Sequence, residues 1–252
     1  MWVARVVTTL VLTAHGSKDP RSAANARAVA GSVARMRPGL DVRLAFCELN
    51  TPSLTDVLNG LSATTRAAVV TPLLLANAYH ARIDIPRQIF STGAAGRGID
   101  VRQSAALGED PRLVSLLRQR VMEVGFSRLD DRLGVLVVAI GSSDPAANAR
   151  TAQVAPKLTA GTHWAGATTA FVTRPEPSLA EAADLLRRRG ARRVVIAPWF
   201  LAPGRLPDRV QRFADHAGVA MAEPLGPHRL VAETVLDRFD QALKARAERA
   251  AA

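Results

Sequence analysis

The chain carries one pattern twice. LVLTAHGSKDP (10–20) in the first half is answered by VLVVAIGSSDP (135–145) in the second, so that His15 stands opposite Ile140, 125 positions on. AANAR follows at 23–27 and again at 146–150, and Pro52-Ser53-Leu54 is matched by Pro177-Ser178-Leu179. VVTPL (69–73) corresponds to VIAPW (195–199), Leu107-Gly108 to Leu225-Gly226, and Arg112-Leu113-Val114 to Arg229-Leu230-Val231. Ordered matches at a nearly constant spacing mean that one supersecondary unit has been duplicated.

Each half alternates two kinds of segment. In the first half, residues 5–14, 41–48, 67–75 and 99–103 are short apolar runs rich in Val and Leu, while 20–36, 52–61, 82–92 and 110–124 have helical spacing. The last is the clearest helix. Asp110 can cap it, Pro111 suits its first turn, Leu113, Leu116, Leu117 and Val121 share a face, and Gly125 stops it. Such alternation predicts an α/β protein of two similar domains, each a parallel β-sheet flanked by helices. The polar stretch 126–133 joins the halves, giving an N-terminal domain over 1–125 and a degenerate repeat over 134–252, related by a pseudo-twofold axis.

At 252 residues either half can bury a core. The single cysteine, Cys47, rules out an internal disulfide and suits a reducing, cytoplasmic setting. The apolar run 3–14 is broken by Arg5 and is too short for a span of ~20 residues, so no membrane association is expected. The net charge of +11 fits a nucleic acid, a polyanionic small molecule, or a merely basic surface. Arg187, Arg188 and Arg189, just before Gly190, suit a helix C-terminus. An aromatic content of 4% and the lack of a recognised motif argue against nucleic acid. No GxGxxG follows the first strand, and GxxxxGK[ST], GxSxG and HExxH are absent, so no organic cofactor is expected.

Ligands of open parallel sheets sit beyond the carboxyl ends of the strands. Three unusual residues fall there in the first half: His15 after strand 5–14, Glu48 at the end of strand 41–48, and His80 after the strand running into Leu75. Two imidazoles and a carboxylate suit a borderline divalent metal. A lone histidine at a strand end is more often structural, but the repeat argues otherwise. The second half has Ile140 for His15, Thr173 for Glu48, and PGRL (203–206) near the counterpart of His80. Scaffold residues are kept in both halves, whereas all three candidate ligands are confined to one. Surface or capping roles suffice for His163, His216 and His228, and Cys47, one strand position from Glu48, is expected to face the core.

At these residues the sequence resembles the CbiX/SirB class of sirohydrochlorin chelatases. The matching segments are AHGSKDP (14–20), ELNTPSL (48–54), TPLLLANAYHARIDIP (71–86) and, in the second repeat, PWFLAPGRLPDRV (198–210). The resemblance covers nearly the whole chain in the two-repeat form of that class. It implies that His15 and His80 are metal-binding catalytic residues, with Glu48 a nearby carboxylate. It also implies a lyase that inserts Fe2+ or Co2+, with Ni2+ a further candidate, into sirohydrochlorin for sirohaem or cobalamin synthesis. The metal is then a substrate. The chain lacks the His-rich tail of some relatives, so no metal storage is expected.

Insertion requires the macrocycle to lose two pyrrole protons while the metal exchanges ligands. Neutral imidazoles can hold metal and accept protons, and a carboxylate can relay them. For a substrate bearing carboxylates, Lys18, Arg21 and Arg82 in the first half and Arg174 and Arg205 in the second are candidate binding residues at strand-end loops. The expected division of labour gives metal to the first half and the charged far wall of a tetrapyrrole cleft to the second. A fused duplicate can complete such a cleft as a monomer. The alternative function is a non-catalytic tetrapyrrole or metal carrier.

Overall fold

The computed structural model describes residues 7–62, 64–76, 80–174 and 177–251, with the backbone alone for Val7, His80 and residues 246–251. The first repeat runs β1 (Val7–Ala14), α1 (Pro20–Met36), β2 (Asp41–Phe46), α2 (Leu54–Asn59), β3 (Thr65–Pro72), a π-helical turn (His80–Asp84), α3 (Ile85–Ser91), a 3-10 turn (Ala94–Arg97), β4 (Asp100–Gln103) and α4 (Pro111–Glu123). The second runs β5 (Leu133–Ala139), α5 (Pro145–Ala152), α6 (Val154–Thr159), β6 (Gly166–Phe171), α7 (Leu179–Arg188), β7 (Arg193–Pro198), α8 (Arg205–Ala217), β8 (Ala220–Met221) and α9 (Arg229–Ala251). Of the expected first strand, residues 5 and 6 lie outside the described residues.

Both sheets are wholly parallel, and their strand orders match: β2-β1-β3-β4 and β6-β5-β7-β8. The central strands are buried on both faces, as Leu10, Val11 and Leu12 in β1 and Leu136, Val137 and Val138 in β5 show, so helices must cover each sheet twice. The helix starts repeat too. Asp19 caps α1 and Asp144 caps α5, while Ser53 and Ser178 form capping boxes with Asp56 and Glu181. α4 begins at the Asp110 cap and buries Leu113, Leu116, Leu117 and Val121 as its spacing predicts.

The compact units and the sequence repeats do not coincide. One unit comprises Met1–Gly108 with Pro227–Ala252, the other Glu109–Gly226. α4 packs on β7 and α6, and α9 packs on α1 and β3, so each repeat's last helix covers the other repeat's sheet. The boundaries 1–125 and 134–252 follow the duplication but not the packing. The exchange begins at the two Leu-Gly turns, where Gly108 and Gly226 adopt left-handed φ values of 63° and 69°. Matching arginines then fix the helices. Arg238 of α9 donates to the Leu107 carbonyl at 3.0 Å, and Arg120 of α4 donates to the Leu225 carbonyl at 3.1 Å. Arg37 of α1 adds a bidentate pair with Asp240 at 2.6 and 2.7 Å. Among the described residues no helix is long and apolar enough to cross a membrane.

Candidate metal centre

The site lies at the carboxyl end of the first sheet. β1 and β2 stay linked past their last paired residues: Cys47 N–H donates to the Ala14 carbonyl at 2.9 Å and Glu48 N–H to the His15 carbonyl at 3.0 Å. The strand expected to reach Glu48 therefore ends at Phe46, and Glu48 stands in the loop beyond it, where backbone bending frees its side chain from strand alternation. Its Oε1 lies 3.3 Å from His15 Nδ1; that nitrogen is itself buried, while the two side chains as wholes are 53% and 35% exposed. Two atoms each ~2.1 Å from one metal at a tetrahedral angle stand about 3.4 Å apart, so this spacing suits either shared coordination or a carboxylate orienting the imidazole.

The loop is tightly specified. Gly16 has φ +100°, and a Cβ there would lie 1.8 Å from the Glu48 carbonyl oxygen. Ser17 N–H donates to Asn50 Oδ1 at 2.7 Å, and the Ser17 hydroxyl accepts from Asp19 N–H at 3.0 Å. Leu49, between Glu48 and Asn50, holds a left-handed φ of 63° and is exposed. A β-branchless but bulky residue in that conformation is strained, and such strain gathers at functional loops.

The third element is the π-helical turn. The strand expected to run into Leu75 ends at Pro72, and His80 opens the turn. Residues 77–79 of the motif lie outside the described residues, as does the His80 side chain. Gln88 of α3 donates to the Cys47 carbonyl at 3.1 Å, tying this segment to the Glu48 loop. Cys47 is half-buried and packs against the first core rather than being fully enclosed. Burial, with the charges of Asp84 and Glu48, pushes its thiol up to about 11, so it is neutral at physiological pH. Among the described residues no group of three or more His, Cys, Asp or Glu is gathered to hold a metal. The structure therefore brings His15 and Glu48 together and places the start of the His80 turn after β3.

Lys18 is exposed in the loop after β1, and Arg82 is exposed in the π-helical turn rather than in a loop. Arg21 is exposed but turned onto Asp19, its Nε 3.0 Å and its Nη2 2.6 Å from the carboxylate. In the second unit Arg205 is the exposed first residue of α8. Arg174 donates to the Ser142 carbonyl through Nη2 at 2.7 Å, tying the loop after β6 to the loop after β5. The second unit keeps the scaffold without the ligands. Thr173 N–H donates to the Ile140 carbonyl at 3.0 Å, its hydroxyl bonds the same oxygen at 2.7 Å, and Gly141 has φ +92°. His228 caps α9 through Nδ1, His216 lies in the last turn of α8, and His163 precedes β6.

The CbiX family model matches residues 9–124 and 134–242, both repeats in turn. The chain belongs to the CbiX family. A sirohydrochlorin ferrochelatase of Priestia megaterium is 30% identical over 224 residues, covering 85% of this chain and 82% of that protein. A sirohydrochlorin cobaltochelatase of the same organism is 26% identical over 210 residues, covering 81% and 67%. The solved structure of SirB from Bacillus subtilis with Fe3+ shares the fold, with a TM-score of 0.82 at 21% identity, covering 96% of this chain and 98% of that one. Sequence reasoning missed Asn50 and Gln88, whose side chains hold the two loops of this CbiX-family site through Ser17 N–H and the Cys47 carbonyl.

Proposed function

We propose that this chain is a sirohydrochlorin chelatase, a lyase that inserts Fe2+ or Co2+ into the tetrapyrrole in the cytoplasm. The observation that carries this reading is the half-exposed His15–Glu48 pair at 3.3 Å, present in one repeat and replaced by Ile140 and Thr173 in the other. His15 and His80 hold the metal, and Glu48 either joins them or orients His15 while relaying protons. Lys18, in the loop after His15, and Arg82, in the turn that His80 opens, are placed to meet substrate carboxylates. Arg21 is turned onto Asp19 and would have to swing away to do so. Arg174 and Arg205 supply the corresponding charge at the strand ends of the second unit. Two close relatives named for different metals, iron and cobalt, fit a donor set that tolerates several divalent ions.

The test is a steady-state assay of the full chain with sirohydrochlorin and each metal, followed by the absorption spectrum. Many turnovers per protein support the chelatase. A single stoichiometric spectral change with no turnover would identify a carrier instead.

A further inference from the structure

The π-helical turn His80–Asp84 contains a carbonyl whose π-helical donor is missing. In a π-helix each carbonyl accepts from the N–H five residues on. For Ala81 that residue is Pro86, which has no N–H. Ala81 is 2% exposed, so water does not readily replace the missing donor. The donor comes from another element. Gln103, the last residue of β4, gives its Nε2–H to the Ala81 carbonyl at 2.6 Å.

Gln103 accepts a cost in doing so. Its Oε1 is buried and finds no donor among the described residues. The second repeat avoids this arrangement. Gln103 pairs with Val70 in the first sheet, and at the matching place in the second sheet Met221 pairs with Ile196. Met221 and Leu206, the latter one residue past the start of α8, both pack against the second apolar core. There α8 starts as a regular α-helix, with no π-helical turn. The repeat that lost His15 and Glu48 has thus also lost the amide and the distorted turn.

We infer that Gln103 is a positioning residue: by bonding the Ala81 carbonyl it holds the first turn of the π-helix, and with it His80, in the register that metal insertion uses. This rests on the chelatase reading with His80 as a metal-holding residue. Gln103 itself touches neither metal nor tetrapyrrole in this account. Removing its donor leaves a buried carbonyl unserved, and the turn shifts to satisfy it.

The experiment compares wild type, Gln103→Met and Gln103→Glu in the full chain, measuring KM for Co2+ and for sirohydrochlorin separately, and the visible spectrum of Co2+ bound to the protein alone. The expected result is a Co2+ KM raised about tenfold or more, an altered Co2+ spectrum, and a sirohydrochlorin KM within twofold of wild type. Gln103→Glu keeps the side chain's size while replacing the donor with an acceptor, so it gives the answer if the Met variant does not fold. Because Pro86 withholds the π-helical donor from this carbonyl, Gln103→Met should cost less in a Pro86→Ala background. Equal costs in both backgrounds, or a Co2+ KM and spectrum unchanged in both single variants, would overturn the positioning role. Wild-type protein that turns over no metal would instead overturn the chelatase reading, and the positioning role with it.

Discussion

Gly16 lies so close beneath Glu48 that a methyl group on its α-carbon would sit 1.8 Å from the Glu48 carbonyl oxygen. The contact is between main chains, so no side-chain rotation relieves it. Gly16→Ala combines this clash with a φ of +100° that alanine disfavours. It should cost at least about 2 kcal/mol of stability and displace Glu48 from His15. Gly141→Ala should be milder, because its nearest obstacle is the Thr173 hydroxyl at 2.7 Å, a side-chain atom. Thermal melting and insertion rate of the two variants check this, and equal losses would contradict it.

The exchanged helix is essential to the first unit. α9 buries Val231, Val235, Leu236 and Phe239. At ~1.5–3 kcal/mol for each large apolar side chain, their burial is comparable to the whole stability of a typical domain, about 5–15 kcal/mol. A chain ending at Gly226 should therefore fail to fold its first unit, although the whole first repeat is present. Circular dichroism checks this. Cooperative melting near the full-length temperature would show that α4 can return to the first sheet.

Much of this was legible in the sequence, and the reasons differ by level. Repeat offsets near 125 foretold two like sheets, because hydrophobic alternation and helix starts such as the Asp110 cap are local signals. The helix exchange was not legible. The apolar face of α4 fits either of two similar sheets, and the deciding bonds, Arg120 to Leu225 and Arg238 to Leu107, join residues more than 100 positions apart. Asymmetry between repeats singled out His15 and Glu48, whereas the π-helical turn was missed because the Gln103 bond that serves its Ala81 carbonyl joins residues 22 positions apart.

Cys47 gives a pH-dependent prediction. Its thiol is held at about 11, first by burial and then by Asp84 and Glu48. An ordinary cysteine titrates near ~8.5. The folded protein thus prefers the protonated thiol: the stability this contributes is complete below the ordinary value and is lost as pH rises toward 11. Alkylation by iodoacetamide at pH 8 should be far slower in the native protein than after unfolding, with the native rate still climbing above pH 10. A native rate that levels off near pH 9 would contradict this placement of Cys47.

The central claim is that His15, set against Glu48, holds the metal that is inserted. The most direct measurement is the rate of metal insertion into sirohydrochlorin by wild type and His15→Ala, across Fe2+ and Co2+ concentration, beside the dissociation constant for sirohydrochlorin alone. Loss of a direct ligand exceeds the ~10–100-fold cost of losing a supporting group. The account predicts at least about a hundredfold fall in kcat/KM for metal in His15→Ala, with sirohydrochlorin bound as tightly as by wild type. A His15→Ala protein that inserts either metal at the wild-type rate would contradict it.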